Sequence, residues 1–75
     1  MVMYSRPGCH LCDVAREVIL AERERTSFGY EEVDVTGSDG LELEYGLRIP
    51  VVLVDGRERF EILVDPAAFA LAVRR

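Results

Sequence analysis

A pair of cysteines stands where a short apolar run gives way to a helical pattern. The run covers residues 1–5 (M-V-M-Y-S), Pro7-Gly8 breaks it, and Cys9 and Cys12 follow with two residues between them. They are the only cysteines in the 75-residue chain, and its only histidine, His10, lies between them. Residues three apart share one helical face. The sequence therefore predicts two sulfur atoms at the start of one helix, with the rest of the chain as their scaffold.

Length and charge restrict the class of protein. We expect residues 1–75 to form a single domain with a modest core. Fourteen acidic residues oppose nine basic ones, a net charge of −5, so we expect no nucleic acid and no membrane surface as partner. No apolar run approaches the roughly 20 residues that span a bilayer, and we expect no export signal before the first strand. Two close cysteines then favour a reducing, cytoplasmic location, where such a pair is redox-active or binds a metal.

The first predicted helix covers about residues 9–25. Its apolar residues recur at helical spacing, so one face is expected to pack on a sheet. The residues assigned to that face are Leu11, Val14, Ala15, Val18 and Ile19.

The rest of the chain predicts the order β-α-β-α-β-β-α. A second strand carries Tyr30, Val33 and Val35, and a short helix, residues 41–45, is expected to end at Gly46 in the left-handed C′ conformation. This strand–helix–strand order favours a parallel pair of strands.

An apolar run over residues 49–54 predicts a central strand. Asp55-Gly56 then predicts a two-residue hairpin turn with positive φ at both residues, and residues 57–64 return as a charged edge strand. Asp65 is expected to cap the last helix, residues 66–74, with proline at its first position.

Three features together resemble a known family. They are Tyr4-Ser5-Arg6 at the end of the first strand, the C-x-x-C that opens the first helix, and a lone proline, Pro50, at the start of the third strand. The whole chain resembles the minimal thioredoxin fold and specifically the glutaredoxins, above all the small bacterial glutaredoxin-like proteins. The Y-G-L-R-I-P-V and V-D-G segments carry this resemblance further along the chain. It implies an α/β fold with a four-stranded mixed sheet flanked by three helices.

The chain departs from the glutaredoxin pattern at two places. His10 and Leu11 replace the usual proline and tyrosine between the cysteines. The glycine pair that approaches the γ-glutamyl end of glutathione is missing, and Ile62, Leu63 and Val64 stand there instead. We therefore expect no resident cofactor and leave glutathione open as a co-substrate.

Cys9 is interpreted as the nucleophile. Unpaired N–H groups and the helix dipole favour an anion at a helix N-terminus, which lowers the pKa of a thiol there below its ordinary value of about 8.5. The thiolate is the attacking species. Cys12, expected to be more buried, would resolve the mixed disulfide. In the alternatives, Cys9 is a small buried apolar residue or acts alone with glutathione, and Cys12 is a metal ligand.

Several further residues have both a functional and a structural interpretation. His10 either stabilises the thiolate as imidazolium or is merely solvated. The resemblance implies that Arg6 raises the local positive potential or holds a substrate carboxylate; otherwise Arg6 is a surface arginine paired with a nearby acid. The resemblance implies a cis Pro50 opposite the cysteines, so that Ile49 presents its backbone to an extended substrate; otherwise Pro50 only begins a strand. Asp13 either takes a proton from Cys12 or favours the helix N-terminus through the dipole.

The sequence thus predicts a small thiol–disulfide oxidoreductase. Its expected partners are disulfide-bearing proteins or low-molecular-weight thiols and a reductase system, and we expect a monomer. One alternative is a module that binds a metal or a [2Fe–2S] cluster through Cys9. The other is a non-catalytic interaction domain with the same fold.

Overall fold

A computed structural model describes residues 1–74. Four strands and three helices follow one another in the predicted order β-α-β-α-β-β-α. None of the helices in this part of the chain has the length and apolar character needed to cross a membrane. The elements are β1 (Val2–Ser5), α1 (His10–Arg23), β2 (Glu31–Asp34), α2 (Asp39–Tyr45), β3 (Val51–Val54), β4 (Arg57–Glu61) and α3 (Pro66–Val73).

The four strands form one mixed sheet with the order β2-β1-β3-β4. β1 is parallel to β2 and antiparallel to β3, while β3 and β4 form an antiparallel hairpin. A parallel pair needs a long crossover connection, and α1 lies in that connection. The hairpin needs only Asp55 and Gly56, whose φ angles are 54° and 81°. The predicted topology and the predicted turn are both confirmed.

The core lies between one face of the sheet and the two helices α1 and α3. Met3 of β1 and Val52 of β3 are opposite each other and fully buried. Phe69 of α3 is also fully buried, and the rings of Phe28 and Phe60 each lie 5.9 Å from its ring. Aromatic pairs at this separation add to the stabilisation from burial. The core residues are Met3, Ala15, Ile19, Val52, Val54, Val64, Phe69 and Val73.

The ends of several elements differ from the prediction. α1 begins at His10, because Cys9 keeps an extended backbone (φ −88°, ψ 107°) as the residue before the helix. The helix ends at Arg23 rather than Arg25. β4 ends at Glu61 rather than at residue 64, because Ile62 takes a positive φ of 68°. The remaining shifts are one or two residues: β1 begins at Val2, β2 covers Glu31–Asp34, α2 begins at Asp39, β3 begins at Val51 and α3 ends at Val73.

The predicted apolar face of α1 is only partly correct. Ala15 and Ile19 are buried and Val18 packs against the core, but Leu11 and Val14 are exposed. The sheet and α3 cover the face centred on Cys12, Ala15 and Ile19, and the other two side chains lie on its flank. The apolar residues of α1 thus serve two surfaces, one inside the core and one facing outwards.

The expectation of a left-handed Gly46 is wrong. Its φ is −55°, and the chain continues in a helical turn in which the Gly46 N–H donates to the carbonyl oxygen of Glu42 at 2.9 Å. Instead, this position is glycine because there is no room for a side chain. A Cβ at this position would lie 2.5 Å from the Glu42 carbonyl oxygen and 3.0 Å from Nη2 of Arg6.

A polar network ties β2 to α1. The Glu32 carboxylate accepts hydrogen bonds from Arg16 Nε (2.7 Å) and Nη2 (2.6 Å), Tyr30 Oη (2.9 Å) and Ser5 Oγ (3.0 Å). The hydrogen bonds from Arg16 lower the pKa of Glu32 to about 2. Burial, together with the hydrogen bond to Glu32, raises the pKa of Tyr30. This carboxylate joins the two parallel strands and the first helix.

We expect Glu32→Gln to destabilise the protein at neutral pH by about 1 kcal/mol, since 28 % of the carboxylate side chain is exposed and solvent screens its ion pair. The folded-state pKa lies below the ordinary value of 4.5, so this stabilisation is present above about pH 4.5 and is lost as pH falls towards 2. Urea unfolding at several pH values measures the effect.

The neighbouring Glu31→Gln is the matched control, because Glu31 also lies in β2 and its side chain is exposed. Glu31→Gln should leave the pH profile unchanged. Identical profiles for Glu32→Gln and the wild-type protein between pH 4.5 and 2 would contradict the assignment.

Candidate active site

The two cysteines lie where the chain passes from β1 into α1. Residues 6–8 connect the strand to the helix, and Gly8 has a φ of 76°, a conformation that is costly for residues with a side chain. This turn brings Cys9 to the position before the first residue of α1. The strand end and the helix start thus fix the backbone on both sides of the sulfur.

Cys9 acts as the N-cap of α1. Its Sγ accepts a hydrogen bond from the backbone N–H of Cys12 at 3.1 Å, and its carbonyl oxygen accepts from the N–H of Asp13, also at 3.1 Å. The first N–H groups of a helix have no partner within the helix, so the sulfur takes the place that a serine or aspartate oxygen usually fills. Negative charge on Sγ would be stabilised by this N–H and by the helix dipole.

Cys9 and Cys12 form a disulfide, with their Cα atoms 5.2 Å apart. Cys9 is partly accessible and Cys12 is fully buried, as predicted. A reagent from solution therefore meets the Cys9 sulfur first. Because a thiolate attacks a disulfide sulfur directly, the pair has the arrangement of an outer and an inner thiol.

The peptide bond between Ile49 and Pro50 is cis, as the family resemblance implies. Tyr4 is opposite Val51 in the β1–β3 pair, so Pro50 lies at the end of the sheet from which the chain leaves β1 towards Cys9. The N–H of Ile62 donates to the carbonyl oxygens of Pro50 (2.9 Å) and Arg48 (3.2 Å). Within residues 1–74, no hydrogen bond to another backbone group occupies the N–H or C=O of Ile49.

Arg48 holds in place the segment between α2 and β3 that carries Pro50, here called the proline loop. The sequence analysis did not identify Arg48 as a site residue. Its guanidinium binds Glu58 at 2.9 Å and Glu61 at 3.1 Å and donates to the Glu44 carbonyl oxygen at 2.9 Å. It also lies 5.6 Å above the ring of Tyr45. The hydrogen bonds to Glu58 and Glu61 raise the pKa of Arg48. The position before Ile49 is therefore tied to both α2 and β4.

Arg6 turns towards α2. Its Nη2 lies 3.5 Å from the Glu42 carboxylate and 3.4 Å from the carbonyl oxygen of Gly46. The structure favours the interpretation of Arg6 as an arginine paired with a nearby acid. The rings of Tyr4 and Tyr45 stack 4.2 Å apart and make a second link between β1 and α2.

The other polar residues near the cysteines make few contacts with them. His10 is exposed at the first position of α1. The Asp13 carboxylate accepts a hydrogen bond from Arg16 at 2.8 Å, which favours its role as an acid in the first helical turn. No three His, Cys, Asp or Glu side chains among residues 1–74 come together as possible metal ligands.

Comparisons with known proteins agree with this geometry. A family model described as "Glutaredoxin-like domain (DUF836)" matches residues 1–70. The uncharacterized protein Rv0508 of Mycobacterium tuberculosis is 38 % identical over 68 residues, which cover 84 % of this chain and 70 % of that protein. The X-ray structure of the structural-genomics target XcR50 from X. campestris is 32 % identical with a TM-score of 0.80, covering 93 % and 89 % of the two chains. The NMR structure of Ne2328 from Nitrosomonas europaea is 25 % identical with a TM-score of 0.81, covering 97 % and 88 %.

We expect Gly46→Ala to destabilise the protein by about 1–3 kcal/mol. The new methyl group would lie 2.5 Å from the Glu42 carbonyl oxygen, so α2 or the guanidinium of Arg6 must move. Thermal and urea unfolding measure the change. Gly40→Ala in α2 is the control, because its added Cβ would have no atom within 4 Å apart from its chain neighbours and the backbone of its own helix, and it should be neutral or stabilise by about 0.5–1 kcal/mol. Equal effects of the two substitutions would show that the close contact at Gly46 is unimportant.

Proposed function

The chain belongs to the glutaredoxin-like domain family (DUF836), and from this premise we propose that it is a small thiol–disulfide oxidoreductase. Cys9 is the nucleophile and Cys12 the resolving thiol. The substrates are disulfide-bearing proteins or low-molecular-weight disulfides. We further propose that the protein works as a monomer in a reducing compartment, where a reductase system returns it to the dithiol form.

The reaction has two exchange steps. The Cys9 thiolate attacks one sulfur of the substrate disulfide, forms a mixed disulfide with it and releases the other substrate sulfur as a thiolate. The Cys12 thiolate then attacks Sγ of Cys9, forms the Cys9–Cys12 disulfide and releases the second substrate thiolate. Each released thiolate takes up a proton. The substrate gains two electrons, the protein loses two, and the reductase system supplies two electrons to restore the dithiol.

One observation carries the proposal: the Cys9 sulfur caps α1 by accepting the Cys12 N–H, while Cys12 itself is buried and disulfide-bonded to it. The cap favours the anionic form of the accessible sulfur. The short separation lets the buried sulfur reach Cys9 without a movement of the helix. The cis Pro50 adds support, as does the backbone of Ile49, which makes no hydrogen bond to another backbone group within residues 1–74. An extended substrate can add to such a chain segment by main-chain hydrogen bonds.

The two single cysteine variants test this division of roles. Cys9→Ser should reduce turnover of an insulin-type protein disulfide to the uncatalysed rate, because the attacking sulfur is gone. Cys12→Ser should instead accumulate a mixed disulfide on Cys9, since nothing resolves it. Mass spectrometry of non-reduced protein detects the adduct.

Full activity of Cys9→Ser would contradict the assigned nucleophile. Brown colour in the purified protein that disappears in Cys9→Ser would instead indicate a cluster-binding module. Undiminished binding of a partner together with no turnover by the wild-type protein would indicate an interaction domain.

Regeneration is expected to depend little on glutathione. Ile62, Leu63 and Val64 stand where the family resemblance would place the glycine pair of the glutaredoxins. NADPH with thioredoxin reductase should therefore support faster turnover than glutathione with glutathione reductase at equal substrate concentration. NADPH oxidation at 340 nm follows both assays. Faster turnover with glutathione would overturn this expectation without affecting the roles of the cysteines.

A further inference from the structure

We propose that an exposed apolar shelf beside the cysteines binds an apolar side chain of the protein substrate, next to the cysteine that Cys9 attacks. The inference rests on the proposed function and names its substrate class: extended protein segments in which an apolar residue adjoins a disulfide-bonded cysteine. We define the shelf by the four side chains of Leu11, Val14, Ile62 and Leu63.

The shelf is formed by two separate parts of the chain. Leu11 and Val14 on the flank of α1 are 38 % and 42 % exposed, and Ile62 and Leu63 after β4 are 44 % and 68 % exposed. Together with Ala15, they line a cleft of about 280 Å³. Four large apolar side chains that meet at one cleft differ from apolar residues scattered singly over a surface, which need no explanation. A cleft of this volume has room for an amino-acid side chain.

The shelf adjoins both parts of the active site. Leu11 lies between the two cysteines in sequence, so α1 presents it from the same first turn that carries the sulfurs. Ile62 donates its N–H to the carbonyl oxygen of Pro50, so the other side of the shelf is bonded to the proline loop. A segment held through the backbone of Ile49 would then have a pocket beside it. Main-chain hydrogen bonds with a pocket for one side chain are how strand addition gains both affinity and specificity.

The backbone of Ile62 is strained, and burial does not explain it. Its φ of 68° is a left-handed conformation that β-branched residues rarely adopt. Such conformations cost free energy and collect at ligand-binding and catalytic sites. A glycine would adopt this conformation without the cost. The chain nevertheless carries an isoleucine, whose side chain is left nearly half exposed, which points to a role in binding.

The charges around the shelf favour a neutral occupant. Among residues 1–74, no cation lines the cleft, and Asp65 is the one charged residue that does; its carboxylate accepts a hydrogen bond from the N–H of Ala68 at 2.8 Å as the cap of α3. The nearby Arg48 is already bound to Glu58 and Glu61. A ligand with several carboxylates, such as glutathione, would find no counter-ion here, and the chain carries a net charge of −5. An apolar peptide side chain meets no such obstacle.

The experiment compares two peptide disulfides that differ only in the residue next to the cysteine, leucine or glutamate. The wild-type protein should reduce the leucine peptide with a kcat/KM about tenfold higher, the discrimination that a hydrophobic pocket provides. Leu63→Glu should remove this preference. Leu71→Glu is the matched control, because Leu71 on α3 is equally exposed (68 %) and lies outside the cleft, and it should keep the preference.

Ile62→Gly is a second variant that separates binding from folding. It should unfold at the same or a higher urea concentration, because the left-handed backbone no longer carries a branched side chain, yet it should lose much of the preference for leucine.

A wild-type protein that reduces both peptides equally, or a Leu63→Glu variant that still prefers leucine, would overturn the proposal. A wild-type dimer that Leu63→Glu converts to monomers in sedimentation would also overturn it, in favour of a second copy on the shelf. If the wild-type protein reduces no disulfide at all, including bis(2-hydroxyethyl) disulfide, the proposed function itself fails.

Discussion

The hydrogen bond from the Cys12 N–H to the Cys9 sulfur joins the start of a helix to the chemistry of the site. Most helices satisfy their first N–H groups with an oxygen from serine, threonine, aspartate or asparagine. Here a sulfur does so, and the same atom is the accessible member of the cysteine pair. A reduced Cys9 would therefore carry its negative charge where the backbone already points a donor. The local structure that begins α1 and the proposed reactivity depend on one contact.

The rest of the fold fixes the position of the elements around this hydrogen bond. β1 ends just before it, and the antiparallel pairing of β1 with β3 brings the cis Pro50 to the same end of the sheet. Arg48 fastens the proline loop to β4 and α2, while Arg6 and the stacked pair Tyr4–Tyr45 fasten α2 to β1. These contacts lie outside the core, and each joins two elements around the site. A domain of this size has a small hydrophobic core. Polar and aromatic contacts near the surface therefore hold these elements in position around the cysteines.

Local signals in the sequence were enough for the order of elements and for the cysteine pair. The C-x-x-C, the Asp55-Gly56 turn and the Asp65 cap each act within a few residues, so their geometry can be predicted without the fold. The boundaries of the apolar face of α1 could not be. Helical periodicity identifies a stripe of apolar residues, but only the position of the sheet decides that Ala15 is covered and Leu11 is not.

The features that the sequence missed depend on distant parts of the chain. Arg48 is separated from Glu58 by ten residues and meets it only through the β3–β4 hairpin. Gly46 was assigned to a left-handed cap because that is the commonest reason for a glycine at a helix end, whereas the actual reason is the closeness of Arg6 and α2. The positive φ of Ile62 runs against its intrinsic preference, so no local rule would have indicated it. Such exceptions are expected at binding sites, where function can outweigh local preference.

A redox titration of the Cys9–Cys12 pair in the wild-type protein tests directly whether the two sulfurs act as one redox couple. The protein is equilibrated in buffers with stepped ratios of reduced to oxidised dithiothreitol and then quenched with an alkylating reagent. Mass spectrometry measures the mass of the alkylated protein. We expect one two-electron transition in which both thiols disappear together and return together on reduction. Thiols that stay unjoined under mild oxidation, or that are oxidised one at a time without forming the internal disulfide, would contradict it.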